Sequence, residues 1–151
     1  MPFSKIWIHL VWSTKNREPL LTDNIRRKVF NHIRENADKK KIEIDSINGY
    51  TDHVHLLLVL QPTQSIAEIT HWIKGESSHW INKNKICSGA FEWQDDYFAV
   101  SVSEKNVPKL QAYINNQEKH HHSKTFEEEY DKLKRQHNKQ ISETALPFTP
   151  G

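Results

Sequence analysis

Residues 50–60 have the sequence YTDHVHLLLVL, and the fold predicted for the whole chain is organised around this stretch. Successive side chains of a strand point to opposite faces, so His53 and His55 share one face, while Val54 and the alternate leucines share the other. Leu57 continues the histidine face as an apolar position, which indicates a strand covered on both sides and polar only at its start. The stretch therefore predicts a central strand with two imidazoles at its entrance. Histidines that only satisfy ordinary hydrogen bonds would show the same pattern.

Strands and helices alternate around this stretch. Residues 4–13 alternate as a strand, and residues 42–49 form a second strand that turns at Asn48-Gly49 into the histidine strand. A fourth strand is predicted within residues 91–103, which are rich in aromatic and β-branched side chains. Helices are predicted after three caps, which are Thr22 or Asp23, the capping box of Ser65 and Glu68, and Asn106.

The order strand, helix, strand, strand, helix, strand is the split βαβ pattern. It predicts an α+β, ferredoxin-like sandwich, in which a four-stranded antiparallel sheet carries two helices on one face and its first and third strands are central. A third helix follows toward the C-terminal end. We expect one domain over residues 1–135 and a flexible tail over residues 136–151, where the apolar spacing is lost.

The composition is that of a soluble globular domain and excludes several classes of protein. A length of 151 residues suffices for one hydrophobic core, and the net charge of +2 permits nucleic acid as a partner without requiring it. Cys87 is the only cysteine, so an intrachain disulfide is excluded. No apolar run approaches the roughly 20 residues of a membrane span, and the first residues lack the order of a secretion signal. We expect a cytoplasmic protein with no membrane partner.

A second group of polar side chains lies in the third predicted helix. Tyr113 and Gln117 are four residues apart, so they share a helix face. The alternative is that Tyr113 packs near the core and Gln117 meets water. A divalent cation held by His53 and His55, with an oxygen ligand such as the Gln117 amide, could polarise a phosphate. Tyrosine could then attack phosphorus and keep the energy of the phosphodiester without ATP, which agrees with the lack of a phosphate-binding loop motif.

Charged side chains near these elements are candidates for DNA contacts. Lys15 and Arg17 lie in a loop after the first strand, and Lys74 lies on the second helix, where each could meet a phosphate. Plain solvation explains each of these charges as well. Asp52 could orient His53 as a hydrogen-bond acceptor, or it could simply close the hairpin turn.

Four motifs together carry a resemblance to a known family. They are HLVW at residues 9–12 followed by Lys15 and Arg17, DHVHLL at 52–57, WQDDYF at 93–98 and YINNQE at 113–118. Over about residues 4–135 the sequence resembles the HUH-type tyrosine transposases (TnpA kind) of small bacterial insertion sequences that move as single-stranded DNA. A lone His-x-His pair is a weak signal, whereas the pair followed by a Tyr-x-x-x-Gln helix is a specific one.

The resemblance implies a metal-dependent endonuclease and strand transferase that acts on single-stranded DNA hairpins at the ends of a mobile element. Tyr113 would attack the scissile phosphate, keep the 5′ phosphate as a phosphotyrosine and release a 3′-OH that later seals a new junction. Mg²⁺ or Mn²⁺ would be bound by His53, His55 and Gln117, and the third helix would be the catalytic one. The family also implies a homodimer whose active sites are shared between subunits, so that Tyr113 would act in trans. The local spacing does not distinguish this exchange from a site within one chain.

Two alternatives remain open at this point. A host-adopted relative that processes repeated hairpins would keep the same residues. A non-catalytic module that binds single-stranded nucleic acid can use the same sheet, but it is expected to show aromatic side chains where this sequence has His53 and His55. Replication initiators typically have a lysine one turn after the tyrosine, and relaxases usually place the tyrosine before the histidines, so the order found here disfavours both.

Overall fold

The computed structural model describes residues 3–121 and 125–145, except for the side chains of His120 and of residues 138–145. The described residues form four strands, five α-helices and two short 3-10 helices, Lys15–Arg17 and Glu104–Asn106. In chain order the strands and α-helices are β1 (Ile6–Ser13), α1 (Asp23–Lys39), β2 (Glu43–Tyr50), β3 (His53–Leu60), α2 (Ile66–Lys83), β4 (Phe98–Val102), α3 (Val107–Asn115), α4 (Gln117–His120) and α5 (Phe126–Ala145). None of these helices has both the length and the apolar character needed to cross a membrane.

The strands form one antiparallel sheet in the order β2-β3-β1-β4. The strands β3 and β1 are central, and their register places His53 opposite Ser13 and Leu56 opposite Leu10. This is the ferredoxin-like sandwich that the order of elements predicted, and the prediction is confirmed.

Each face of the sheet has its own apolar core. Leu10, Trp12 and Leu56 belong to the core on the face that α1 and α2 cover. On the opposite face Trp7 and Leu57 pack with two residues of α3, Val107 and Ile114. The histidine strand is therefore covered on both sides, as its apolar pattern indicated, and α3 is the element that covers its histidine face.

The hairpin between β2 and β3 turns three residues later than predicted. Thr51 and Asp52 form the turn, whereas Asn48 and Gly49 remain within β2. Gly49 pairs with Val54, and a Cβ atom built on Gly49 would overlap the backbone carbonyl of His53. The glycine is thus required by a close approach of two backbones and not by the turn.

Other local predictions differ in detail from the structure. Ser65 caps α2 as expected, because its side chain accepts a hydrogen bond from the backbone N–H of Glu68 at 3.2 Å. Asn106 precedes α3 but makes no side-chain capping bond, and Thr22 makes none at the start of α1. The fourth strand is limited to β4, because Trp93 forms only an isolated bridge to Thr14, the residue after β1.

The chain divides into two compact units, residues Met1–Glu118 and Lys119–Gly151. In the second unit α5 carries Phe126 and Tyr130 on one turn, with their ring centroids 5.5 Å apart. The helix continues through residues 136–145, where the sequence predicted a loose tail, and residues 146–151 lie outside the described part.

Candidate active site

The two imidazoles of β3 lie side by side on the face that α3 covers. His53 and His55 are both fully buried, and their ring centroids are 5.2 Å apart with an interplanar angle of 75°. They share this face because Val54 between them points into the opposite core. The strand alternation read from the sequence is therefore confirmed.

Each imidazole has a partner at its Nδ1 atom. The carboxylate of Asp52 lies 2.9 Å from Nδ1 of His53, and Nε2 of His9 lies 2.9 Å from Nδ1 of His55. An ionised carboxylate only accepts hydrogen bonds, so Nδ1 of His53 carries a proton and its N–H donates a hydrogen bond to Asp52. This contact leaves Nε2 as the atom of His53 that can bind a cation.

The Gln117 side chain reaches the histidine pair although the predicted continuous helix is wrong. The helix α3 ends at Asn115, Asn116 leaves helical geometry with φ −99° and ψ 16°, and Gln117 begins α4. Its Oε1 atom nevertheless lies 3.0 Å from Nε2 of His53, and both side chains are buried. The amide nitrogen of Gln117 lies 3.5 Å from the backbone oxygen of Tyr113, which favours this orientation of the amide.

This donor set fits a divalent cation. When Asp52 holds the proton on Nδ1 of a neutral His53, Nε2 of His53 and Oε1 of Gln117 are both acceptors, and two buried acceptors repel each other unless a cation lies beside them. In a doubly protonated His53, Nε2 would instead donate a hydrogen bond to Oε1 of Gln117. Two neighbouring ligands of an octahedral ion, each about 2.1 Å from it, would be about 3.0 Å apart. The observed separation is 3.0 Å. His53, His55 and Gln117 could therefore hold Mg²⁺ or Mn²⁺.

The Tyr113 ring lies on the same face of the sheet. Its centroid is 5.7 Å from that of His55 in the same chain, with an interplanar angle of 79°. The ring is half-buried and packs against the core formed by Trp7 and Leu57. Within one chain the fold thus brings together the tyrosine, both histidines and the glutamine that the sequence singled out.

The basic loop after β1 lies at the histidine end of the sheet. The backbone N–H of Thr14 donates to the carbonyl of Asp52 at 2.8 Å, which holds the start of this loop beside the turn before His53. Lys15 forms an exposed ion pair with Glu92 at 2.8 Å, and this hydrogen bond and the charge of Glu92 raise the pKa of Lys15. Arg17 has a left-handed backbone with φ 55° and is exposed.

Lys74 lies elsewhere and has partners of its own. It belongs to α2, on the face of the sheet opposite the histidines, and its ammonium donates to the backbone carbonyls of Gln94 and Asp95. Burial lowers the pKa of Lys74. These contacts hold the loop that precedes β4, a role that the spacing along α2 could not reveal.

His9 lies beside the site, and the sequence prediction gave it no role there. It lies on β1, it is 3% exposed, and it points to the same face as His55. The signal was present, since residue 9 shares a face of β1 with Trp7 and Val11 and the predicted fold places β1 beside the histidine strand.

The fold and these grouped side chains define a class: an α+β protein with a tyrosine beside a buried pair of histidines. Comparison with known proteins gives the family. Residues 2–117 match the IS200-like transposase family, and the chain belongs to it. Membership in a transposase family implies a DNA-cleaving enzyme, and the resemblance found in the sequence is confirmed.

Two curated relatives with similar sequences are transposases. The ISDra2 transposase TnpA of Deinococcus radiodurans is 30% identical over 115 residues, which cover 72% of this chain and 81% of that protein. The transposase for insertion sequence element IS200 of Salmonella typhimurium is also 30% identical over 115 residues, which cover 72% of this chain and 74% of that protein.

Two solved structures share the fold. A crystal structure of a protein from Deinococcus radiodurans R1 matches with a TM-score of 0.61 and 28% identity, over 77% of this chain and 93% of that one. A REP-associated tyrosine transposase bound to a REP hairpin matches with a TM-score of 0.61 and 15% identity, over 80% of this chain and 72% of that one. The likeness to the second structure concerns the fold alone.

Proposed function

We propose that this transposase cleaves and rejoins hairpin-bearing single-stranded DNA through a 5′-phosphotyrosine at Tyr113, with Mg²⁺ or Mn²⁺ held by His53, His55 and Gln117. One observation carries the proposal: a phenol and an amide from the segment after β4 meet the two buried imidazoles of β3. The matched family and the curated relatives supply the reaction class, which is DNA transposition.

The chemistry that follows is two phosphoryl transfers. In the first, the Tyr113 oxygen attacks the scissile phosphorus, the bond from phosphorus to the 3′-oxygen breaks, and that oxygen leaves as a 3′-OH after taking a proton. In the second, a 3′-OH attacks the phosphotyrosine and the tyrosine leaves. The number of phosphoester bonds is conserved, so no nucleotide cofactor is consumed. The bound cation would polarise the phosphate and stabilise its developing charge.

The protein side chains position the reacting groups. Asp52 holds the proton on Nδ1 of His53, so that Nε2 faces Gln117. Lys15 and Arg17, on the loop beside this end of the sheet, would meet backbone phosphates of the DNA. The solved REP-associated transposase is bound to a REP hairpin, which supports a hairpin as the substrate class for this chain.

The decisive experiment is trapping of the covalent adduct. Full-length protein is incubated with a labelled single strand that carries a hairpin, in the presence of Mn²⁺, and the product is resolved under denaturing conditions. We expect a protein–DNA adduct with the wild type, none with Tyr113→Phe, and an unchanged yield with Tyr130→Phe, which loses a hydroxyl in the second unit. An adduct that survives in Tyr113→Phe would exclude this tyrosine as the nucleophile.

His53→Ala separates catalysis from binding. We expect hairpin affinity to survive and cleavage to disappear, because most contacts with the hairpin should come from other surfaces. An equal loss of both would indicate that His53 is structural. Tight binding by the wild type with no adduct in any divalent metal would favour the non-catalytic module. Hairpins at the genomic ends of the element would separate a mobile transposase from a host-adopted relative.

We also propose that the enzyme works as a homodimer. The contact between Tyr113 and His55 described above lies within one chain, whereas the family resemblance implies sites shared between subunits. Mixing Tyr113→Phe with His53→Ala tests the arrangement. Sites shared in trans would restore cleavage in the mixed dimer, and sites completed within one subunit would leave the mixture inactive.

A further inference from the structure

A third histidine contacts the pair on β3. Nε2 of His9 lies 2.9 Å from Nδ1 of His55, and the two rings are nearly parallel, with centroids 5.1 Å apart and an interplanar angle of 19°. His9 is buried on the central strand β1, and its ring also meets that of Phe98 edge-on at 5.9 Å. A polar ring in this position needs a reason, because a neutral apolar side chain would fill the same space without a hydrogen-bonding requirement.

The hydrogen bond between the two rings determines which nitrogen of His55 is available. If His55 donates from Nδ1, its Nε2 is unprotonated and can act as an acceptor or a ligand, and His9 must then carry its own proton on Nδ1. If His9 donates from Nε2 instead, the proton of a neutral His55 lies on Nε2 and blocks that atom as a ligand. Only the first arrangement lets Nε2 of His55 bind a cation.

Each histidine of β3 thus has a hydrogen-bonding partner at its Nδ1 atom. Asp52 lies 2.9 Å from Nδ1 of His53, and His9 lies at the same distance from Nδ1 of His55. Groups that hold the second nitrogen of a metal-binding histidine fix its tautomer and ring orientation, and their loss typically weakens metal binding by about 10–100-fold.

We propose that His9 is a positioning residue that accepts the Nδ1 proton of His55 and so keeps Nε2 of His55 directed to the cation. This inference rests on the proposed function, in which His55 is a ligand. The central strand makes the arrangement rigid, since His9 pairs with Leu57 on one side and with Val100 on the other.

Two substitutions at residue 9 separate hydrogen bonding from packing. His9→Gln keeps an acceptor at a similar reach from the backbone, whereas His9→Leu fills the space with no acceptor. His9→Met is the second apolar variant if His9→Leu does not fold, as judged by circular dichroism and thermal unfolding. All variants are made in the full-length chain.

The first measurement needs no metal. In metal-free protein with isotope-labelled histidine, nitrogen chemical shifts report which nitrogen of His55 carries the proton. We expect Nε2 of His55 to be unprotonated in the wild type and in His9→Gln, and a mixture of both tautomers in His9→Leu. A wild-type tautomer in His9→Leu would overturn the inference.

The second measurement is titration with Mn²⁺ in the absence of DNA. We expect His9→Leu to bind Mn²⁺ about 10–100-fold more weakly than the wild type, and His9→Gln to bind within about threefold of it. Equal loss in both variants would overturn the inference in favour of a packing role. Failure of the wild type to bind Mn²⁺ would overturn the proposed metal site, while the metal-free spectra alone decide whether His9 sets the tautomer.

Discussion

Replacement of Gln117 tests most directly whether its amide is a metal ligand. Gln117→Leu keeps the approximate size of a buried side chain and removes the oxygen that lies 3.0 Å from Nε2 of His53. Gln117→Glu keeps an oxygen at this position and adds a negative charge. We expect the leucine variant to lose Mn²⁺ affinity and the glutamate variant to bind at least as tightly as the wild type.

The size of the effect can be estimated. Loss of a ligand should cost at least the 10–100-fold that loss of an outer partner costs, or about 1.4–2.7 kcal/mol. At a Mn²⁺ concentration of about 100 times the wild-type Kd, the metal should stabilise the wild type by about 2.7 kcal/mol. A variant that binds about 100-fold more weakly would gain only about 0.4 kcal/mol.

Denaturant unfolding with and without Mn²⁺ measures this difference. Gln111→Leu is the matched control, because Gln111 lies on α3 and its amide contacts Asp45 on an exposed surface. The control should keep the full metal-dependent gain. If Gln117→Leu also keeps that gain, Gln117 is not a ligand, and the 3.0 Å contact with His53 is an ordinary hydrogen bond.

Three further predictions concern the surroundings of the site. Gly49→Ala should destabilise the fold by about 1–3 kcal/mol, because the new methyl group would overlap the backbone at the start of β3; wild-type stability in denaturant unfolding would contradict this. Lys74→Met should cost about 0.5–1.5 kcal/mol of stability, since its ammonium no longer donates to the exposed backbone carbonyls of Gln94 and Asp95, and should change hairpin affinity less than about twofold. A large loss of affinity at unchanged stability would instead support the DNA contact that the sequence predicted for Lys74. The double substitution Lys15→Gln, Arg17→Gln should weaken hairpin binding and reduce its logarithmic salt dependence by about 2, whereas Lys28→Gln on α1 should leave both unchanged.

Local patterns predicted the fold because each strand and helix carries its own periodicity. The alternation in β3 identified both faces of the sheet, and the order of elements then allowed one topology. Residues 91–94 were wrongly predicted to belong to the fourth strand, because aromatic residues favour any half-buried surface and not only strands. Trp93 instead packs against Trp12 and donates from its indole to Ser77, contacts that depend on the assembled core.

The sequence predicted the site only for residues whose relative positions follow from the geometry of a single strand or helix. His53 and His55 share a strand face by alternation. The contact between His9 and His55 joins two strands 46 positions apart in sequence, so it requires the register of the sheet. The helix break at Asn116 also escaped prediction, because residues 113–118 contain neither proline nor glycine to indicate it.

Because β3 has an apolar core on each face, the register of this strand affects both the stability of the fold and the geometry of the site. If β3 paired with β1 in a register shifted by one residue, Val54 and Leu56 would lie on the face of the sheet that carries Tyr113. Both imidazoles would then point into the apolar core beneath α1 and α2. A chain in this register would lose the paired imidazoles from the site and would also be less stable. The stability of the fold therefore selects the register in which His53 and His55 face Tyr113.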